Sequence, residues 1–114
     1  MSILNRSAVV LRPKQPYLEW TRLDDSEGLA EDVFETLREE PTLYLVPDWE
    51  EADEERENLD EFWPVLFEAM LNGWVTDPVL WPTGRTRKMF EDWFEIETFA
   101  MVEDIHLEDS IESI

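Results

Sequence analysis

Ser7-Ala8-Val9-Val10-Leu11 is a continuous apolar run closed by Pro13, and the way its two faces are covered decides what sheet this chain can build. Apolar side chains at both odd and even positions suit a strand buried on both faces, central or near-central in its sheet. A second strand is read at Thr42-Leu43-Tyr44-Leu45-Val46, a β-branched and aromatic stretch held between Pro41 and Pro47. Between them, Pro13 and Pro16 open a short helix whose Tyr17, Trp20 and Leu23 share one face, ended by Asp24-Asp25-Ser26. Ser26 can cap a second helix, in which Leu29, Val33 and Leu37 recur every fourth residue with Phe34 beside them, while Glu27, Glu31, Glu35 and Glu39 face water. Helical chain between two strands implies a parallel crossover.

Beyond the second strand the composition changes. Nine of the fourteen residues from Asp48 to Glu61 are acidic, and only Arg56 opposes them. Carboxylates in that number suit the start of a helix, where the positive end of the dipole lies. The helix becomes amphipathic at Leu59, Phe62, Trp63, Leu66 and Met70, with a kink or restart expected at Pro64, which lacks an amide donor and clashes with the Asp60 carbonyl. Asn72-Gly73 closes it. An irregular, tryptophan-bearing connection follows through Asp77-Pro78 and Trp81-Pro82, and Thr83 is the expected cap of a last helix with Met89, Phe90, Trp93 and Phe94 on its buried stripe. The last strand is expected over Ile96–Val102, apolar on both faces. The expected fold is therefore α/β or α+β: a single, three-stranded, largely parallel sheet covered by helices in the order β-α-α-β-α-α-β. One domain spans residues 1–114, with residues 105–114 a frayed acidic tail.

Twenty-nine acidic residues against nine Lys and Arg give a formal charge of −20, a value that by itself suggests disorder. Six tryptophans and six phenylalanines within a 43 % hydrophobic composition argue for a folded core instead. Such a field repels nucleic-acid phosphates and anionic lipid and attracts basic surfaces. No stretch approaches the ~20 apolar residues that span a bilayer, Met1–Pro13 lacks the apolar run and cleavage site of a leader, and the chain has no cysteine; a cytoplasmic location is expected.

The catalytic toolkit is thin. Without cysteine and with His106 as the sole histidine, no Ser-His-Asp, Cys-His or HExxH arrangement can be assembled. Glu103-x-x-His106 has the spacing of half a di-metal site but no second half. The acidic run lacks the order of a calcium loop. Neither catalytic residue nor cofactor nor metal site is assigned. Two clusters remain. Thr83-Gly84-Arg85-Thr86-Arg87-Lys88 could present Arg85, Arg87 and Lys88 to an anion at a helix start, or supply counter-charge to acidic neighbours. The run itself offers Asp48, Trp49, Glu50, Glu51, Glu54, Glu55, Glu57 and Asp60 to a basic protein, with Trp49 the one tryptophan read as an exposed anchor rather than core.

Ser7–Trp20 (SAVVLRPKQPYLEW), Tyr44-Leu45-Val46-Pro47 and Phe90–Asp104 (FEDWFEIETFAMVED) resemble a family of small acidic bacterial proteins of unknown function, a likeness that implies a bacterial origin and no activity. Glu57-Asn58-Leu59-Asp60-Glu61-Phe62-Trp63, followed by Gly73-Trp74-Val75, resembles the inhibitory helix of the barstar ribonuclease inhibitors. That resemblance implies an acidic helix plugging a basic ribonuclease site through Asp60 and Glu57. Pro64 stands where the family has its second inhibitory aspartate, and Arg56 where it has a glycine.

The leading expectation is an adaptor or inhibitor docking a basic protein surface through residues 48–61. A sharper form is a helix that imitates nucleic-acid phosphates. The alternatives are a small carboxylate enzyme working beneath the Trp74–Trp81 connection, with Arg85, Arg87 and Lys88 on a phosphorylated substrate, and a structural homodimer.

Overall fold

In a computed structural model that describes residues 2–3, 6–23 and 27–105, the run at Ser7–Leu11 lies in strand β2, Arg6–Pro13, preceded by the two-residue β1, Ser2–Ile3. Strands β3, Leu43–Pro47, and β4, Phe94–Phe99, flank β2 on either side, and both run antiparallel to it. A separate ladder joins β1 to β5, Glu103–Asp104, also antiparallel. Four α-helices, α1, Gln15–Thr21; α2, Glu31–Glu39; α3, Ala52–Asn72; and α4, Arg87–Trp93, and a 3-10 turn, Pro78–Leu80, complete the described residues. The fold is α+β, and the largely parallel sheet expected from the strand-helix-strand order is wrong.

The reason lies in the path of α1 and α2 between β2 and β3: the pair folds back on itself, so β3 starts beside the end of β2 rather than beside its start. Here α1 leads away from Pro13 and α2 returns to it. The turn between them is tight: the Leu29 amide donates to Thr21 Oγ1 at 2.9 Å, and Thr21 Oγ1 donates to the Leu18 carbonyl at 2.6 Å. Gly28 takes φ +75° there, and a Cβ on it would lie 2.4 Å from Arg22 Cγ, so any side chain would be strained and would displace Arg22. At the far end Arg38 donates from Nη1 to the Pro13 carbonyl at 2.8 Å, and Arg12 Nε donates to the Arg38 carbonyl at 3.0 Å. These bonds tie the end of α2 to the end of β2, and Leu43 then pairs with Val10. The crossover is real but comes later: β3 and β4, both antiparallel to β2, are parallel to each other and are joined over it through α3 and α4.

Residue alternation separates the two faces of the sheet. Val9 and Leu11 of β2, Tyr44 and Val46 of β3, and Phe94 and Ile96 of β4 face the helices. Helix residues Tyr17, Leu18, Trp20, Phe34, Leu59, Leu66, Phe67, Leu71 and Phe90 close over them in one apolar core. Its centre is aromatic: Phe67 lies 5.4 Å from Phe94, 5.5 Å from Trp93 and 5.8 Å from Phe90, centroid to centroid, with tilted or edge-on geometry. Ala8 and Val10 are also buried but belong to the other face, outside that core. Their cross-strand neighbours Leu45 and Phe99, and Leu43 and Glu97, shade them. Leu43, Leu45 and Phe99 themselves are 50 %, 52 % and 41 % exposed, so this face is open.

Several element readings move. The last strand begins at Phe94 rather than Ile96 and ends at Phe99; Met101 is exposed. Leu23 lies beyond α1, exposed, and in α2 Phe34 rather than Val33 is the buried residue. Helix α3 runs through Pro64 without a restart. Thr86, not Thr83, caps α4, its hydroxyl accepting from the Met89 amide at 3.1 Å. The expected cap at Ser26, His106 and the tail beyond Ile105 lie outside the described residues. No helix among the described residues is long and apolar enough to cross a membrane.

Candidate functional site

The acidic run forms the turn after β3 and the first turns of α3. Glu51 occupies the N-cap position, and Asp53, Glu54 and Glu55 fill the first turn, where the unpaired amides and the positive dipole end favour carboxylates. Glu54 Oε2 accepts from the Glu50 amide at 3.3 Å, which stitches the turn to the helix. Beyond this, the eight residues picked out in the sequence do not form one site: Asp48, Glu54 and Glu57 come together and the other five do not join them.

Trp49 is the clearest departure. It is 5 % exposed and belongs to the core, so it cannot be an interface anchor. Its amide donates to Ser7 Oγ at 3.0 Å, and Ser7 Oγ donates to the Ala100 carbonyl at 2.9 Å. The buried Ser7 hydroxyl therefore pins the turn after β3 and the chain after β4 to the central strand, which rotates Trp49 inward while Asp48 and Glu50 on either side stay in water. The tryptophan with an exposed ring is Trp74. In the connection that follows it, the Asp77 carboxylate is engaged as a cap, accepting from the Val79 amide at 3.1 Å.

Two carboxylates are drawn to neighbouring elements. Glu55 Oε1 accepts from Thr98 Oγ1 of β4 at 3.1 Å, and Asp60 is ion-paired with Arg87 of α4. Asp60 is one of the two residues that the barstar-like stretch would present to a partner, and it carries this intramolecular partner. Glu50 and Glu51 stand exposed at the start of the helix. Four others converge: Asp48, Glu54, Glu57 and Glu61 surround a hollow of about 340 Å³ between the β3 turn and the first turns of α3, completed by Pro47, Asn58 and Phe62. Glu61 lay within the run but was not picked out, and Asn58 was missed altogether. Asn58 is 9 % exposed; its Nδ2 donates to the Pro47 carbonyl at 2.7 Å, while its Oδ1 is buried with no hydrogen-bond partner. A signal for it existed in the sequence: an uncharged amide on the same helix face as Phe62 and next to Leu59, inside a run where nearly every other polar residue is charged. The hollow adjoins an apolar groove between β3 and α3 that shares Pro47 and Phe62 and continues along Leu45, Val65 and Ala69.

The cationic cluster is engaged with carboxylates throughout. Arg85 donates to Glu68 Oε2 and to the Pro82 carbonyl, both at 2.8 Å, and its guanidinium lies 5.9 Å from the Trp81 ring centroid. Arg87 meets Asp60 and, at 3.2 Å, Glu91, and Lys88 lies 3.2 Å from Asp92. Arg85 precedes α4, and the Met89 amide at the helix start is taken by Thr86, so the cluster does not converge on an anion. Among the described residues no group of three or more His, Cys, Asp or Glu side chains is arranged to hold a metal ion. Two tyrosines are displaced from their ordinary titration range: burial, then the nearby Tyr44, push the Tyr17 hydroxyl up to about 12, and burial raises Tyr44. Both rings meet Met70, Tyr17 donating to its carbonyl at 2.9 Å and Tyr44 lying 3.2 Å from its Sδ.

Set against known protein families, curated proteins and solved structures, the chain matches none of them.

Proposed function

We infer that this protein is an interaction module, an adaptor or inhibitor without chemistry of its own, that docks a basic protein surface through residues 48–61. One observation carries the reading, namely where the protein's own cations lie. Among the described residues Arg12 and Arg38 pair with Glu95 and Glu97, Arg22 with Glu31, Arg85 with Glu68, and Lys88 with Asp92. In the segment 48–61 the ion pairs among the described residues reach Asp60 alone. The densest run of carboxylates thus receives one ion pair from another element, at Asp60, while Asp48, Glu50, Glu51, Glu54 and Glu57 face water around the start of α3. That arrangement supports fast, salt-sensitive association with a basic partner, and it disfavours phosphates and anionic lipid.

The test is a reversal of Glu50, Glu51, Glu54 and Glu57 to Lys, residues without tertiary hydrogen bonds in the fold. Proteins captured from a bacterial lysate at low salt should be basic and should be released at about 1 M salt, where the Debye length is about 3 Å. The reversed variant should capture none of them. An unchanged captured set would show the acidic face to be a solvated surface only.

A further inference from the structure

Strand β3 lies at an edge of the three-stranded sheet, and among the described residues no main-chain group pairs with its outer side. The sheet's other edge is guarded by charge, since β4 carries Glu95 and Glu97 and its Thr98 is bonded to Glu55. β3 carries none. Its Leu43-Tyr44-Leu45-Val46 leaves outward main-chain donors and acceptors unpaired over a short stretch closed by Pro47, and Leu43 and Leu45 are half-exposed. Beside it runs the apolar groove, about 230 Å³, walled by Phe62, Val65 and Ala69 of α3, where Val65 is 61 % exposed. An uncharged edge next to an apolar groove is what an added strand completes, with its main chain on the edge and alternate side chains in the groove. A helix satisfies its main-chain groups internally and would leave those of β3 unpaired.

The charge at one end of the groove selects the occupant. Pro47 and Phe62 also line the acidic hollow, so a segment running along β3 passes from apolar walls to the exposed Asp48, Glu54, Glu57 and Glu61. A second copy of this chain brings its own charge of −20 to that contact and is disfavoured, whereas a segment with Lys or Arg beside its apolar residues is drawn in. We propose that β3 and the groove beside α3 receive an extended segment of a protein partner as a fourth strand of the sheet, with aliphatic residues along Leu43–Val46 and basic residues where it meets the acidic end. The proposal rests on the docking reading and deepens it: the carboxylates attract the segment, and the edge and groove hold it.

The probe is a fluorescein-labelled peptide of alternating valine and threonine with a pair of lysines at each end, so that either strand direction sets lysines against the acidic end. Its controls carry glycine in place of valine and threonine, glutamine in place of lysine, or the same side chains on an N-methylated main chain. By anisotropy at low salt the parent should bind about tenfold tighter than the N-methylated peptide, the effect of losing one or two hydrogen bonds, and tighter than the glycine peptide as well. Val65→Gln, at an exposed position, should weaken the parent several-fold and leave the glycine peptide unchanged. By NMR, the amides of residues 43–46 that do not bond to β2 should exchange fast in the free protein and slowly with the parent bound. If the glycine or the N-methylated peptide binds as tightly as the parent, strand addition is overturned and the docking reading stands. Slow exchange of those amides in the free protein would assign the edge to the chain itself or to a second copy, and also overturns it. Equal binding of the parent and the glutamine peptide removes the basic flank and the docking reading together, as does a failure of every peptide to bind.

Discussion

Tyr17 shows how a single residue records its surroundings. Its ring packs 5.6 Å from Trp20 and 5.5 Å from Phe94, and its hydroxyl is spoken for by the Met70 carbonyl, so the phenolate form is disfavoured in the fold. The folded value, about 12, lies above the ordinary 10.0. The unfolded chain therefore loses this proton first as the pH rises, and the associated stability, complete below 10, is lost between 10 and about 12. Urea denaturation across this range should show stability falling with pH. Tyr17→Phe should flatten the fall, leaving the share due to Tyr44, at a cost of about 1 kcal/mol at neutral pH for the lost hydrogen bond. A pH dependence unchanged by Tyr17→Phe would place the titration elsewhere. Trp49 and Asn58 make the complementary point. In the sequence one is an aromatic among acids and the other an unremarked amide; in the fold one is core and the other lines the hollow, because Ser7 and Pro47, each paired from a distant strand or helix, set their directions.

At the scale of elements, local chemistry locates helices well and their ends less well. Thr83 and Thr86 are equally good caps on paper. The choice falls on Thr86 because Phe90 and Phe94 must both enter the core, and because Gly84, at φ +66°, turns the chain just before the helix. Thr86→Ala should cost about 1 kcal/mol in urea denaturation, the usual worth of a side-chain cap, whereas Thr83→Ala should be neutral. Equal effects would mean that the helix starts earlier. The α1–α2 pair is the element that misdirects a reading of the sheet. Its two amphipathic stretches are each legible, but whether they continue one another or fold back depends on the turn at Gly28, stabilised by Thr21, and on Arg38 reaching the end of β2. Those are contacts 8 and 25 residues apart in the chain, beyond the reach of periodicity.

Across the whole molecule, a formal charge of −20 in 114 residues makes self-repulsion a standing load on the fold. The exposed ion pairs offset it little, since such pairs are worth about 0–1 kcal/mol each. Sodium chloride should therefore raise the melting temperature by several degrees as screening tightens, against the smaller loss from weakened surface pairs. A melting temperature that falls with salt would mean that the ion pairs of Arg12, Arg38, Arg85 and Arg87 matter more than the net charge. The sheet's open face, with Leu43, Leu45 and Phe99 in water, and the acidic hollow at the end of β3 lie on different parts of this charged surface.

The amino-acid sequence alone determined where the four α-helices and the three longer strands lie to within a few residues, that Ser7–Leu11 is a central or near-central strand, and that acidity concentrates after the second strand. These are properties of neighbouring residues: apolar period, β-branching, proline breaks and local charge. Only the tertiary structure decided strand direction, the burial of Trp49, the gathering of Asp48, Glu54, Glu57 and Glu61 around Asn58, and the neutralisation of Arg85, Arg87 and Lys88. Each of these depends on which distant groups meet. A run of like charges looks uniform along the chain, and becomes a differentiated surface only when the fold supplies some of its members with partners and leaves the others facing water.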